Sequence, residues 1–111
     1  METINLDVVA MQLHNTAQIK GFYDELDMTN FMSQAKQLAM IHSEVTEVLE
    51  ALRKEKGELA VVEEISDIII RALDFYEALV RAGVVHDSLQ KVFTDKAAVN
   101  KERPRMHGVL G

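Results

Sequence analysis

The chain has 111 residues, 48% of them hydrophobic, which is typical of a single globular domain rather than a disordered segment. It has no cysteine, which excludes disulfides and thiolate metal sites, and its net charge of −6 argues against a binder of nucleic-acid polymers or membrane surfaces. We find no cationic and apolar leader and no apolar run of about 18 residues, so we expect a cytoplasmic protein without a membrane span.

One proline, five glycines and abundant Ala, Leu, Glu, Lys and Met predict an all-α, four-helix bundle-like protomer formed by one domain over residues 1–111. The first helix is predicted over about residues 3–20, where Gly21 ends it, and residues 22–27 are predicted as a loop. The second is predicted from about residue 30 to 56, with Thr29 or Asn30 as N-cap and Gly57 after its end. Its expected core stripe is Leu38, Ile41, Val45, Val48, Leu49 and Leu52.

The third predicted helix, about residues 58–81, is followed by Gly83, which ends it. This helix is apolar on nearly every side and should be buried against more than one neighbour. One subunit alone cannot cover such a helix, so we predict a homo-oligomer, either a dimer or a dimer of dimers. The fourth helix is predicted over about residues 87–101, with Asp87 and Gln90 resembling a capping box. Pro104 ends it, and residues 105–111 are predicted to be a flexible tail.

Two acidic pairs, Glu44 with Glu47 and Glu64 with Asp67, have i, i+3 spacing on the second and third helices. They lie at equal distances from a chain reversal near residues 55 and 56, so an antiparallel helical hairpin would place them level. Glu44 and Glu64 also fall within apolar stripes, where a carboxylate is costly unless it is paired or bound to a metal. Asp74 extends the acidic strip beyond Asp67.

These carboxylates predict a metal site, and interhelical salt bridges are the alternative explanation. Ligands that are all carboxylates favour Mg²⁺, with Mn²⁺ as a substitute, over zinc. A di-iron bundle would require Glu-x-x-His on two helices, and His42 does not supply that spacing to Glu44 or Glu47.

The motifs resemble those of the MazG-like all-α nucleoside triphosphate pyrophosphatases, in particular the small single-domain phage or integron-type branch. The resemblance rests on IHSEVTEVLEALR at residues 41–53, EISDIIIR at 64–71, and KAAVNKERP at 96–104 followed by MHG at 106–108. It implies hydrolysis of a (deoxy)nucleoside triphosphate to its monophosphate and pyrophosphate, with Mg²⁺ held by Glu44, Glu47, Glu64 and Asp67. One departure is Ser43, where many relatives carry a second glutamate, so we assign the role of general base to Glu47 as a hypothesis.

The resemblance also implies that Lys96, Asn100 and Arg103, which share one face of the last helix, contact the phosphates or the sugar. Further candidates for substrate binding are Lys36, Lys91, His14 and Phe22. Lys36 shares a face with Glu44, and His14 could hydrogen-bond a base edge. Phe22, like Phe31 and Tyr23, could stack on a base, although an aromatic residue is more often part of the core. A non-catalytic helical interaction module and a nucleotide-binding regulator without turnover remain the alternative functions.

Overall fold

A computed structural model describes residues 3–104 of the chain, and this part is all-helical, as the composition predicted. The four helices are α1 (Leu6–Ile19), α2 (Phe31–Arg53), α3 (Glu58–Arg81) and α4 (Leu89–Glu102). The described residues contain no strand, and none of their helices is long and apolar enough to cross a membrane. The tail predicted at residues 105–111 lies outside the described range.

Helix α3 lies at the centre of the fold. It packs against α1 along one side and against α2 along another, which confirms the prediction that this apolar helix has more than one neighbour. Helix α4 contacts chiefly α1, and residues 91–100 are exposed along their whole length. The fourth helix therefore does not close a compact four-helix bundle within the protomer.

A residue in the left-handed conformation follows each of α1, α2 and α3. After α1 and α3 this residue is the predicted glycine, and after α2 it is not. Gly21 (φ +81°) and Gly83 (φ +75°) follow α1 and α3, as the sequence predicted for both helices. The predicted end of α2 at residue 56 is wrong, because Glu55 adopts φ +50° and the N–H of Lys56 donates to Ala51 O over 3.0 Å. Gly57 (φ +101°) is consequently the residue that precedes α3.

Asn30 is the N-cap of α2, since its side chain accepts a hydrogen bond from the Met32 N–H at 2.7 Å. The capping box predicted for the fourth helix is wrong, because Ser88, not Asp87, caps α4 and accepts from the Lys91 N–H at 3.2 Å. Gln90 instead accepts from the Leu6 N–H at 2.8 Å, which ties the start of α4 to the start of α1.

Most large apolar side chains are not covered within the protomer. The stripe predicted as core on α2 is largely exposed, Leu49 by 60% for example, so the prediction of a buried stripe is wrong for the single chain. Ile65 and Ile69 of α3 are exposed as well. The buried apolar residues are Ala10, Ala17, Met28, Ala51, Leu73 and Ala78. The chain exposes 8485 Å², whereas a folded monomer of 12.5 kDa typically exposes about 6,200 Å².

Candidate metal centre

Three carboxylates from two helices converge beside the contact between α2 and α3. Glu44 of α2 and Glu64 and Asp67 of α3 each offer one oxygen, and the three oxygens lie within 4.8 Å of one another. Glu44 and Glu64 are half-buried, and Asp67 is exposed. Two oxygens on opposite sides of one Mg²⁺ are about 4.2 Å apart, so small side-chain rotations would let all three bind a common ion. The donor set therefore fits a hard divalent cation.

Glu47, the fourth predicted ligand, is exposed on α2 and is not part of this three-carboxylate cluster. It is nevertheless close enough to act electrostatically on Glu64. Partial burial raises the pKa of Glu64, and the negative charges of Asp67, Glu47 and Glu44 raise it further, in that order. The four predicted metal ligands thus repel one another, and a bound cation would relieve the repulsion.

Arg71 supplies positive charge at the edge of the cluster. Its Nε donates a hydrogen bond to Glu44 Oε1 at 2.8 Å, which links α3 to α2. The Arg71 side chain is 36% exposed and the Glu44 side chain 16%, so the pair is only partly shielded from water. Arg71 therefore offsets part of the local negative charge and remains accessible to an anion.

Two pockets adjoin the cluster and share Phe22, Arg71 and Asp74 as wall residues. The first has a volume of about 260 Å³ and includes Glu44 and Asp67 in its wall. The second has a volume of about 310 Å³ and is completed by Tyr23, Lys36, Gln37 and Met40. Together they reach the size usual for small-molecule sites, about 300–1,000 Å³. One end of the combined cleft is acidic, and the other has aromatic, apolar and amide groups.

Asp74 is held by two partly buried hydrogen bonds. His14 Nδ1 lies 2.6 Å from Asp74 Oδ1, and the Tyr23 hydroxyl donates to Asp74 Oδ2 at 2.8 Å. The His14 and Tyr23 rings also meet edge to face, with centroids 4.6 Å apart and planes at 68°. Burial and the bond to Asp74 raise the pKa of Tyr23 well above its ordinary value, so the hydroxyl keeps its proton.

The structure brings some of the predicted substrate-binding residues to the cleft. Phe22 lines both pockets and Lys36 lines the second. His14 is only 2% exposed, and it lies behind Asp74 rather than in the wall of either pocket.

The remaining predicted contacts lie on or just after α4. Among the described residues, neither pocket is lined by Lys91, Lys96, Asn100 or Arg103. Lys91 forms an exposed ion pair with Asp95 at 2.8 Å. Within one chain, the basic residues of α4 and Arg103 therefore do not border the acidic cleft.

Sequence reasoning missed Arg71 as a residue of the site. It named Tyr23 only as an aromatic residue that could stack on a base, and it treated Asp74 only as part of an acidic strip. A signal for Arg71 was present, because Asp67, Arg71 and Asp74 follow i, i+4, i+7 spacing on one face of α3. No comparable pattern marks Tyr23, whose position depends on how the connection after α1 folds back onto α3.

Comparison of the chain with protein-family models, with curated proteins and with solved structures found no match in any of the three.

Proposed function

We propose that the protein is a Mg²⁺-dependent nucleoside triphosphate pyrophosphohydrolase of the MazG-like class, which hydrolyses a (d)NTP to the (d)NMP and pyrophosphate and acts on the nucleotide pool. The observation that carries the proposal is the convergence of Glu44, Glu64 and Asp67 beside a cleft whose wall includes Glu44 and Asp67. Carboxylate oxygens are the ligands that Mg²⁺ takes in sites that also bind substrate phosphates.

The residues of the cleft divide the proposed reaction between them. Glu44, Glu64 and Asp67, with Glu47 beside them, would hold magnesium, which supplies charge neutralisation and a lowered pKa for bound water. Exposed Glu47 would take the proton of the water that attacks between the α and β phosphates. Mn²⁺ would replace magnesium, since it accepts the same oxygen ligands.

Two cations along the cleft would bind the phosphate chain. Arg71 borders the carboxylates and also lines both pockets, and Lys36 lines the second pocket. A partly exposed guanidinium can leave a carboxylate and bind a phosphate with little loss, because solvent already screens the ion pair. Arg71 and Lys36 would then line the path of the phosphate chain from the metal centre towards the nucleobase.

The functional assembly that we propose is a homo-oligomer in which α2 and α3 form an antiparallel hairpin that carries the acidic motifs. The uncovered apolar side chains of α2 and α3 support it, and the surface in excess of a typical monomer is of the size that one subunit buries in an obligate dimer, about 1,000–2,500 Å². Because α4 projects from its own protomer, the partner's copy of this helix would bring Lys96 and Asn100 to the acidic cleft.

Light scattering tests the assembly directly. We expect a dimer or tetramer at micromolar concentration. A well-folded monomer at that concentration would contradict the homo-oligomer without affecting the metal site.

Pyrophosphate release from a panel of NTPs and dNTPs in Mg²⁺ tests the activity. We expect turnover by the wild type and a loss of about 10²–10⁴-fold in kcat for Glu47→Gln, which removes the proposed base. Glu50→Gln is the matched control, because Glu50 lies one turn further along α2 and pairs with Arg53 and Lys54 away from the cluster.

The Glu44–Arg71 ion pair supports an alternative, a non-catalytic helical module for interaction or nucleotide-dependent regulation. In such a module the carboxylates would form salt bridges between helices. Absence of pyrophosphate release across the whole panel would favour this reading.

A further inference from the structure

Phe22 is the large apolar side chain that lies at the junction of the two pockets, yet it is 65% exposed. It belongs to the connection between α1 and α2, where an exposed ring has few packing partners to hold it. On one side its position is fixed by the end of α1, where the Phe22 N–H donates to Ala17 O at 3.0 Å and Gly21 adopts φ +81°. The adjacent Tyr23 fixes it from the other side.

Tyr23 is hydrogen-bonded to Asp74 of α3, which also contacts His14 of α1. We call these three residues, His14, Asp74 and Tyr23, the clasp. Asp74 accepts from the Tyr23 hydroxyl at 2.8 Å and lies 2.6 Å from His14 Nδ1. His14 is 2% exposed and the Asp74 side chain 15%, so both bonds to the carboxylate are partly shielded from water. Hydrogen bonds to a charged acceptor are stronger than neutral ones, and removing one partner leaves the others poorly satisfied. The clasp therefore joins α1, the connection and α3 at one point.

We propose that the His14–Asp74–Tyr23 clasp is a positioning device that holds Phe22 ready to stack on the nucleobase, and this rests on the proposed function. A simple structural anchor would have no need to present an exposed aromatic ring next to it. Stacking on an aromatic ring favours binding of a base, but the ring must be fixed beforehand for this energy to appear as affinity. Tyr23 and His14 are thus positioning residues, and Phe22 is the group that touches substrate.

The chain supplies a matched control, because it has two tyrosines and each donates a structural hydrogen bond. The Tyr76 hydroxyl donates to Asp87 O at 2.7 Å and accepts from the Leu89 N–H at 3.1 Å. These bonds lie at the start of α4, and Tyr76 does not line either pocket. Tyr76→Phe removes the same atom as Tyr23→Phe, with a similar structural penalty but no effect on Phe22.

The experiment measures binding by calorimetry in Mg²⁺, with an α,β-imido deoxynucleoside triphosphate and with pyrophosphate, which has no base. For Tyr23→Phe we expect nucleotide affinity to fall about tenfold, KM to rise to match and kcat to stay within about twofold. Pyrophosphate affinity should stay unchanged in this variant, and both affinities should stay unchanged in Tyr76→Phe. Phe22→Leu should weaken nucleotide binding, and adding Tyr23→Phe to it should weaken binding no further.

Asp74→Asn provides a second disruption of the clasp if Tyr23→Phe does not fold, and it should show the same selective loss. The clasp is refuted if Tyr23→Phe binds nucleotide like the wild type, if it loses pyrophosphate binding equally, or if Tyr76→Phe loses as much. A wild type that binds pyrophosphate and no nucleotide would also overturn the inference. A wild type that binds neither would instead refute the proposed function on which the inference rests.

Discussion

Replacing Arg71 by glutamine separates the ion pair that this side chain forms with Glu44 from the phosphate contact that we propose for it. In the free protein Arg71 donates to Glu44 at 2.8 Å and so occupies part of the carboxylate cluster. A cation there repels an incoming Mg²⁺ and competes with it for Glu44. We therefore expect Arg71→Gln to bind Mg²⁺ more tightly and to hydrolyse nucleotide more slowly, because the proposed phosphate contact is lost.

The magnitude follows from the exposure of the pair. Two unit charges about 4 Å apart interact by about 4 kcal/mol at an effective dielectric of about 20. Because the Arg71 side chain is 36% exposed, solvent screening reduces this towards the about 1 kcal/mol found for surface pairs. A change of about 1 kcal/mol corresponds to about fivefold in the dissociation constant for Mg²⁺.

Calorimetric titration with Mg²⁺, followed by steady-state pyrophosphate release, measures both effects. The control is Arg53→Gln, since Arg53 pairs with Glu50 at the exposed end of α2, where its side chain is 66% exposed. The control should leave both quantities unchanged. Weaker Mg²⁺ binding by Arg71→Gln, or turnover equal to the wild type, would refute the reasoning.

Two further predictions concern the contacts that hold α3 and α4. Hydrogen bonds, first of all from Ser88, lower the pKa of Asp7, so its stabilising contribution is present above the ordinary pKa of 3.8 and is lost as the pH falls below it. Protection of the amides at the start of α4 against exchange, relative to their intrinsic exchange rates, should fall over that acidic range, and Asp7→Asn should abolish this pH dependence. Glu77 is buried beside Arg81, so Glu77→Ala should lower the free energy of unfolding in urea by about 1–3 kcal/mol and leave Mg²⁺ affinity unchanged. An unchanged urea midpoint for Glu77→Ala would contradict the second prediction. Amide protection at the start of α4 that does not change with pH in the wild type would contradict the first.

Local chemistry explains which helix ends were predictable from the sequence. Gly21 and Gly83 adopt left-handed conformations that glycine favours, and each correctly marked the end of a helix. Glu55 adopts the same region without being glycine, so nothing in its identity indicated that α2 ends at Arg53. The chain reversal near residues 55 and 56 was predicted, but the residue at which α2 ends was not.

Periodicity identified apolar faces but not what covers them. Leu49 and Ile65 follow helical spacing as a core residue would, yet both are exposed in the protomer. A sequence pattern marks an apolar face, and it does not say whether that face packs within the chain or against another molecule.

The carboxylate cluster was predictable because equal spacing about a chain reversal relates Glu44 to Asp67. The clasp was not, since His14, Tyr23 and Asp74 come from three segments whose contacts depend on tertiary packing. Spacing within one hairpin is visible in a sequence, and long-range hydrogen bonds are not.

The most direct test of the account is calorimetric titration of the wild type with Mg²⁺, compared with Glu64→Gln, Asp67→Asn and Glu63→Gln. Glu63 is exposed beside Glu64 and is not a member of the cluster, which makes it the matched control. We expect saturable Mg²⁺ binding by the wild type and by Glu63→Gln. In Glu64→Gln and Asp67→Asn we expect Mg²⁺ affinity to fall by more than about 10–100-fold, which is the loss caused by removing a group that only orients a metal ligand. No binding by the wild type, or equal binding by all four proteins, would contradict the metal centre.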